Sequence, residues 1–236
     1  MKSIPTIGIA GVTIPGAVDC INKINQQCIT EFPNHHQRPN LVLYQPNFEP
    51  THHAQVEGRW DIVADRLVES IQKLSQMGAD FAIIPANTVH KVIDDVQERS
   101  IIPIISILDV VAYECSRRDF KTVGIMGTGW TMADNLYRLP LSKYSIAEFI
   151  PTLADQLVIQ EALFNELIPT GHATEKTMQV LLGVVERIRN HCDSIALACT
   201  ELPLVLNSQN CRLPVLDTTD LLAKAAVRKV LALMSS

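Results

Sequence analysis

The sequence predicts an α/β fold with two pseudo-symmetric lobes, each a mostly parallel sheet flanked by helices. The main observation is a buried strand ending in a polar turn, which occurs twice. Residues 80–88 align without a gap on residues 193–201. A short apolar run bounded by polar residues is typical of a strand that helices cover on both faces.

Two more segments repeat in the same order. Residues 6–11 match residues 122–127, and residues 102–109 match residues 213–220. Three matches at nearly constant spacing predict a duplicated α/β half. We place the lobes at residues 1–116 and 117–236, and leave open whether a C-terminal helix at 219–233 joins the first lobe. We expect the strand ends of the two halves to face each other across a cleft.

The rest of the chain predicts alternating strands and helices. Residues 61–77 carry an apolar stripe at helical spacing, and Gly78 follows as a helix-ending glycine. Further strands are expected at 4–12, 41–44, 101–107, 123–126, 144–149 and 213–216. Further helices are expected at 19–30, 109–118, 132–139, 157–167, 174–190 and 219–233, with a short one that carries Val92 and Ile93.

Two loop segments carry polar side chains of interest. The segment 46–60, with His52 and Gln55, is equally well interpreted as a binding loop or as a plain connector. His35 and His36 are adjacent in a loop, where neighbouring side chains do not converge on one ion. A solvated loop is therefore favoured over a metal site.

Bulk properties limit the class of partner. The chain has 47% hydrophobic and 19% charged residues, a net charge of −5 and no basic cluster, so we expect no nucleic-acid partner. No apolar run approaches the roughly 18 residues that a membrane span needs. Six cysteines without paired spacing, and no export signal, predict reduced thiols in the cytoplasm.

The residues that follow the repeated strands suggest carbon-acid chemistry. Cys199 comes directly after a buried strand, where a helix start would favour the thiolate and lower the pKa of the thiol. The alternative interpretation is that Cys199 is a small hydrophobic side chain buried in the core. Short donors suited to a carboxylate lie near strand ends or helix starts, and each could instead be a helix cap: Asn87, Thr88, Thr128, Thr131 and Thr200.

Three motifs resemble those of the aspartate/glutamate racemase family. Pro-Ala-Asn-Thr-Val-His at 85–90 resembles its x-Cys-Asn-Thr-x-His segment, and Ala-Cys-Thr-Glu-Leu-Pro at 198–203 resembles its Gly-Cys-Thr-Glu segment. Gly-Thr-Gly-Trp-Thr-Met at 127–132 resembles its Gly-Thr-x-x-Thr-Met turn. The similarity extends over nearly the whole chain, although the opening at 11–15 differs from the family's Gly-Gly-Met-Ser and leaves any role of Thr13 open.

The resemblance implies a fold and a mechanism. It implies two α/β lobes, no cofactor, an acidic amino acid as the small-molecule substrate, and a homodimer. One cysteine from each lobe would stand on each face of the substrate Cα, one thiolate removing the proton and the other thiol delivering one. By this resemblance Cys199 is one of the pair. Asn87, Thr88, Thr128, Thr131, Thr200 and Gln55 would bind substrate.

The sequence departs from the family at the other cysteine, where it has Ala86. A methyl group cannot accept or donate a proton, so the two-base mechanism lacks one member. Ala86 could be an engineered replacement, a natural one-thiol variant, or a sign of lost catalysis with retained binding. We therefore predict a racemase-family protein, with a non-catalytic carboxylate binder and a one-cysteine decarboxylase as alternatives. The sequence does not rank Arg59, Arg138, Gln55 and His52 as partners for a second carboxylate.

Overall fold

The computed structural model describes residues 4–235 of the chain. By its internal contacts the chain forms two compact units. The first unit runs up to Val110 and resumes at Thr219, and the second spans residues 111–218. The residues from 219 onward therefore belong with the first half of the chain.

Each unit contains one four-stranded sheet in which every strand pairing is parallel. The first sheet has the order β2-β1-β3-β4, and the second has the order β6-β5-β7-β8. The strands are β1 (Thr6–Ala10), β2 (Asn40–Tyr44), β3 (Phe81–Ile83), β4 (Ile104–Ile105), β5 (Thr122–Gly127), β6 (Ala147–Phe149), β7 (Ser194–Ala198) and β8 (Val215–Asp217). The predicted α/β class with two parallel sheets is confirmed.

The sequence repeat corresponds to equivalent strands of the two sheets. β1, β3 and β4 match β5, β7 and β8, and each set occupies the same places in its sheet order. An aspartate before the central strand plays the same part in both units. Asp80 Oδ2 accepts a hydrogen bond from the Thr6 N–H at 2.7 Å, and Asp193 Oδ2 accepts one from the Thr122 N–H at 3.0 Å. The repeat therefore includes side-chain contacts as well as strand order.

Helices connect the strands of both units. The first unit has α1 (Ile14–Glu31), α2 (Glu49–Val56), α3 (Trp60–Gln76), α4 (Ile93–Arg99) and the start of α5 (Ile107–Arg117). The second has α6 (Gly129–Ala133), α7 (Arg138–Ser142), α8 (Leu153–Ala162), α9 (Ile168–Thr170) and α10 (Glu175–Ile188). The helix α11 (Thr218–Ser235) returns the chain to the first unit.

Helix α3 shows why the sequence pattern was informative. Val63, Leu67, Ile71 and Leu74 are buried at helical spacing, and they belong to the hydrophobic cluster that lies against the first sheet's strands. Gly78 follows the helix with φ +88°, the left-handed conformation that glycine adopts without strain. The helix therefore ends where expected and delivers the chain directly to β3.

Several expected elements differ in extent. Helix α1 begins at Ile14 instead of residue 19, because Thr13 Oγ1 caps it by accepting the Gly16 N–H at 3.2 Å. The expected strand at 101–107 shrinks to Ile104–Ile105. The expected helix at 132–139 is split into α6 and α7, and Asn135 lies in the left-handed region between them with φ +50°.

The segment 46–60 contains the helix α2, which neither interpretation of that segment included. Arg66 fixes this segment to α3, since its guanidinium donates to Thr51 Oγ1 and to the Asn47 carbonyl, both at 2.8 Å. The interval predicted as one helix at 157–167 is also more complex. It begins earlier, as α8, and continues as a single π-helical turn at Leu163–Leu167.

The cysteines are free thiols, as expected: Cys20, Cys28, Cys115, Cys192, Cys199 and Cys211. Among the described residues no helix is long and apolar enough to cross a membrane. The compartment stays a prediction.

Candidate active site

Cys199 lies one residue beyond the buried strand β7, at the carboxyl edge of the second sheet. All five residues of β7 are buried, and the chain then turns into a single 3₁₀ turn at Leu202–Leu204. Cys199 is half-buried, so its thiol is at the border between the core and the site. Carboxyl ends of parallel strands are where open α/β sheets bind their ligands.

The Cys199 thiol is hydrogen-bonded to a carboxylate. Its Sγ donates to Glu201 Oε2 at 3.0 Å, and the Thr200 hydroxyl donates to the same oxygen at 2.7 Å. Glu201 is itself buried, with 9% of its surface exposed. The turn therefore brings a thiol, a hydroxyl and a carboxylate together within three consecutive residues.

The expected lowering of the thiol pKa at Cys199 is wrong. Burial raises the pKa of this thiol well above its usual value, and the charge of Glu201 and its hydrogen bond raise it further. Backbone N–H groups of Glu201 and Thr200 act in the opposite direction but do not outweigh these effects. A three-residue 3₁₀ turn follows the cysteine, so there is no long helix whose macrodipole could stabilise a thiolate.

Ala86 occupies the equivalent position of the first unit, three residues after β3. Its carbonyl accepts a hydrogen bond from His90 Nδ1 at 2.7 Å, and His90 Nε2 accepts one from the Ile107 N–H at 3.2 Å. These partners assign the tautomer, because one ring nitrogen must donate and the other must accept. His90 thus connects the turn of Ala86 to the first amide of α5.

Burial keeps the His90 ring neutral. It lowers the pKa of His90 to about 4, against the opposing effects of the Ala86 carbonyl and the charge of Asp109. A neutral ring is also what the geometry requires, since a protonated Nε2 could not accept from the Ile107 N–H. Neither His90 nor Glu201 was among the predicted site residues. Their signal in the sequence was membership of the motifs at 85–90 and 198–203, four residues after Ala86 and two residues after Cys199.

Asn87 and Thr88 follow Ala86 as expected for the repeat. Asn87 is buried, and its carbonyl accepts the His90 N–H at 2.9 Å at the start of a 3₁₀ turn over Thr88–Val92. The Asn87 side chain does not cap this turn. The helix-cap alternative therefore does not explain the asparagine.

For Thr128 the cap alternative is confirmed as a structural role, and Thr131 is the residue whose N–H it caps. Thr128 Oγ1 accepts the Thr131 N–H at 3.4 Å, and the two hydroxyl oxygens are 3.1 Å apart. The Gly129 N–H of the same turn donates to Gln160 Oε1 at 2.8 Å. Gly127 and Ala198 are partners in the ladder of β5 and β7, so this turn adjoins the turn of Cys199.

The candidates for a second carboxylate differ in their surroundings. Arg59 is exposed and forms two hydrogen bonds to Asp61, at 2.8 and 3.0 Å. Arg138 donates to Asn135 Oδ1 at 2.8 Å and lies 3.6 Å from Glu148. Gln55 is buried, with 5% of its surface exposed.

Clusters of potential metal ligands bear on the expectation for His35 and His36. The described part of the chain contains no group of three or more His, Cys, Asp or Glu side chains arranged to hold an ion. His35 and His36 are exposed in a 3₁₀ turn, in keeping with the solvated-loop interpretation.

Comparison with known proteins gives consistent matches. The Asp/Glu/Hydantoin racemase family profile matches residues 9–226. The broad specificity amino-acid racemase RacX of Bacillus subtilis is 27% identical over 175 residues, which cover 74% of this chain and 75% of that protein.

Solved structures agree with this match. An aspartate racemase homologue from Pyrococcus horikoshii has a TM-score of 0.82 at 27% identity, covering 98% of this chain and 99% of that one. An aspartate racemase from Picrophilus torridus has a TM-score of 0.79 at 23% identity, covering 96% and 94%, and supports the fold.

Proposed function

Because the chain belongs to the Asp/Glu/hydantoin racemase family, we propose that it transfers the proton at Cα of an amino acid of the aspartate/glutamate type without a cofactor. The observation that carries this proposal is the contact between the Cys199 thiol and the Glu201 carboxylate at 3.0 Å. A thiol alone is a poor base at neutral pH, because only its thiolate accepts a proton. The buried carboxylate gives the thiol proton a destination.

The first step uses atoms already in contact. The proton on Cys199 Sγ moves to Glu201 Oε2 along their hydrogen bond, and Sγ then accepts the α-proton of the substrate as the C–H electron pair stays on Cα. Thr200 donates to the same Oε2 at 2.7 Å, which orients the carboxylate. The resulting carbanion is planar, and returning the proton to the same face restores the original enantiomer.

Ala86 limits the outcome of this chemistry. Inversion requires a proton donor on the opposite face, and a methyl group supplies none. A positioned acid or base is typically worth about 10²–10⁴-fold in rate. We propose that the chain as it stands exchanges the α-hydrogen of one enantiomer with solvent and inverts it very slowly.

We propose that short polar side chains hold the amino acid. They are Asn87, Thr88, Thr128, Thr131 and Thr200, with Gln55 toward the distal end of the substrate. Hydrogen bonds to a charged group are each worth about 1.5–3 kcal/mol. The homodimer implied by the family resemblance is likewise a proposal.

The test is a single substitution at position 86. We expect Ala86→Cys to racemise aspartate or glutamate without added cofactor, and Ala86→Cys combined with Cys199→Ala to lose this activity. Chiral chromatography on both enantiomers of both acids is the measurement, and α-hydrogen exchange in D2O is measured on the parent chain. Cys199 carries a sulfur at the equivalent position of the repeat, so we expect position 86 to accommodate the added thiol.

The competing function is a non-catalytic carboxylate binder. It is favoured by Ala86 and by the raised pKa of the Cys199 thiol. A folded Ala86→Cys variant that binds these acids but neither exchanges nor inverts them would establish the binder and contradict the proposed chemistry.

A further inference from the structure

We propose that the edge strand β2 is the centre of a symmetric interface with a second copy of this chain. The two β2 strands would pair antiparallel and join the first sheets of both copies into one continuous sheet. The inference concerns assembly and does not rest on the proposed proton transfer. It follows from the composition of this edge, from the direction of its backbone groups, and from the exposed apolar side chains beside it.

The strand β2 differs from the other sheet edges of the chain. The edges are β2 and β4 in the first sheet and β6 and β8 in the second. β4 has two residues and follows Pro103, while β6 and β8 have three residues each and contain Glu148 and Asp217. Short length, proline and charge keep sheet edges from pairing. β2 has five residues, none of them charged and none a proline.

The outer side of β2 presents free backbone groups that suit a copy of the same strand. The Asn40 N–H donates at 3.1 Å to the residue before β1, and the Tyr44 carbonyl accepts at 2.9 Å from the residue after it. Alternate residues of a parallel strand bond to the same neighbour, so Val42 also faces β1. The N–H and C=O groups of Leu41 and Leu43 therefore point outward, where the sheet of residues 4–235 has no further strand.

These outward groups are self-complementary about a twofold axis at Val42. Leu41 of one copy then lies opposite Leu43 of the other, and each such pair exchanges two hydrogen bonds in an antiparallel ladder. The axis generates the same pair a second time, as a symmetric interface requires. A second copy of the chain is thus an occupant that satisfies every outward group of residues 41 and 43.

The leucine side chains add an apolar contact to this backbone pairing. Leu41 and Leu43 are in register with Ile7 and Ile9 of β1, so the four side chains lie on one face of the sheet. Ile7 and Ile9 are fully buried, whereas Leu41 and Leu43 are 40% and 37% exposed. Antiparallel pairing would place the leucines of one copy against those of the other.

Helix α1 lies on the same face as these leucines. Right-handed crossovers place α1 and α3 on opposite faces, because β1 to β2 and β2 to β3 run in opposite directions across the sheet. A Cβ at Gly8 would lie 3.3 Å from Leu74 of α3, so α3 covers the face opposite to that of Ile7 and Ile9.

The two α1 helices would extend the interface beyond the strands. A helix centred over β1 and β2 would be about 10 Å from its symmetry copy, which is two strand spacings and a normal separation of packed helices. The outer side of α1 exposes Ile14 and Val18. These apolar side chains are available for contact between the two helices.

The charge distribution fits a copy of the same surface. A twofold interface brings a patch against itself, so a patch with net charge would repel its copy. β2 has no charged residue, and the α1 residues Asp19 and Lys23 form an ion pair at 2.7 Å. The whole chain has a net charge of −5, so this neutral surface is the exception and suits an uncharged partner surface.

The test is the mass of the full chain in sedimentation velocity. We expect the parent to be a dimer. Leu41→Lys combined with Leu43→Lys should raise the dissociation constant by about tenfold or more, since like charges then lie opposite each other. The double glutamate variant at the same positions should do the same. An equimolar mixture of the two should form a heterodimer, because opposite charges then face each other.

The matched control is Leu157→Lys, which changes an exposed leucine of α8 and should remain dimeric. Hydrogen exchange separates strand pairing from side-chain contact alone. The amides at positions 41 and 43 should exchange about tenfold or more faster in each double variant than in the parent. The amide of Val42, which faces β1, should be equally protected in all three proteins.

Several results would overturn the inference. They are a monomeric parent, a dimer that both double variants retain, no heterodimer in the mixture, and dissociation by Leu157→Lys. Unprotected amides at positions 41 and 43 in a dimeric parent would also overturn it. So would a mass that grows beyond the dimer with concentration, since twofold pairing uses both edges. The proposed function is tested separately, by α-hydrogen exchange.

Discussion

At the scale of single residues, burial and then the neighbouring Glu201 carboxylate raise the proton affinity of the Cys199 thiol. The two groups share one hydrogen bond, and the negative charge of Glu201 raises the pKa of the thiol. We expect Glu201→Gln to lower that pKa and to speed alkylation of Cys199 by iodoacetamide at pH 8. The gain should be roughly threefold for each pKa unit removed, because a thiolate of lower pKa is more abundant but less nucleophilic.

Peptide mapping after brief labelling measures this effect. The control is Glu161→Gln, which removes an exposed carboxylate of α8 and should leave the labelling rate of Cys199 unchanged. Unchanged or slower labelling of Cys199 in Glu201→Gln than in the parent would contradict the effect of the Glu201 charge on the pKa of the thiol.

The positions of Cys199 and Ala86 after matched strands were predictable from sequence, but the protonation state of the Cys199 thiol was not. The repeat located Cys199 and Ala86 directly after matched strands, because strand ends follow from apolar patterning. The state of the thiol depends on where the Glu201 side chain turns, and no spacing encodes that direction. The same holds for His90, whose importance comes from a contact with Ile107, 17 residues away.

At the scale of elements, His90 connects two turns through a neutral ring. Its pKa is about 4 in the folded chain, below the ordinary value of 6.5, so the folded state binds fewer protons than the unfolded state. The stability this provides is complete above pH 6.5 and is lost as the pH falls from 6.5 toward 4. The free energy of unfolding lost over this pH range is at most about 3 kcal/mol.

We expect His90→Gln to lower stability at pH 7 but to flatten its decline between pH 7 and pH 4.5, since glutamine can donate and accept but does not titrate. Urea unfolding at several pH values is the measurement. The exposed His172 provides the control variant His172→Gln, which should retain the parent profile. An unchanged decline in His90→Gln would show that other groups cause the acid sensitivity.

Elements with strong periodicity were predictable, and those set by local contacts were not. The apolar stripe of α3 and the continuous apolar run of β7 allowed both elements to be located from the sequence. Helix α2 was missed because its burial pattern, at Thr51, Ala54 and Gln55, is mostly polar. The start of α1 was missed because Pro15 and Gly16 resemble a turn, although proline is well tolerated in the first turn of a helix.

At the scale of the whole molecule, α11 makes the first unit discontinuous in sequence. Gln27 Nε2 of α1 donates to Asp220 Oδ1 at 3.3 Å, and Leu222, Val227 and Val230 of α11 are buried. Each buried aliphatic side chain is worth about 1.5–3 kcal/mol, against a total stability of about 5–15 kcal/mol for a typical protein. The first unit therefore depends on this helix.

We expect a chain ending at Thr218 to lose amide-exchange protection over residues 4–110 while residues 111–218 retain theirs. Hydrogen exchange read by mass spectrometry tests both halves in one sample. Gln27→Ala in the full chain is the mild control, because it removes a single contact with α11. Equal loss of protection in both halves of the shortened chain would contradict independent units.

The place of α11 in the chain also sets an order of events on the ribosome. Residues 111–218 are translated before α11, so the sequence of the second unit is complete before that of the first, although the second unit begins later. At roughly 5–20 residues per second, the 18 residues of α11 take about 1–4 seconds to synthesise. For that interval the first sheet and its helices lack their closing segment, and the nascent chain presents apolar surface that a chaperone can bind.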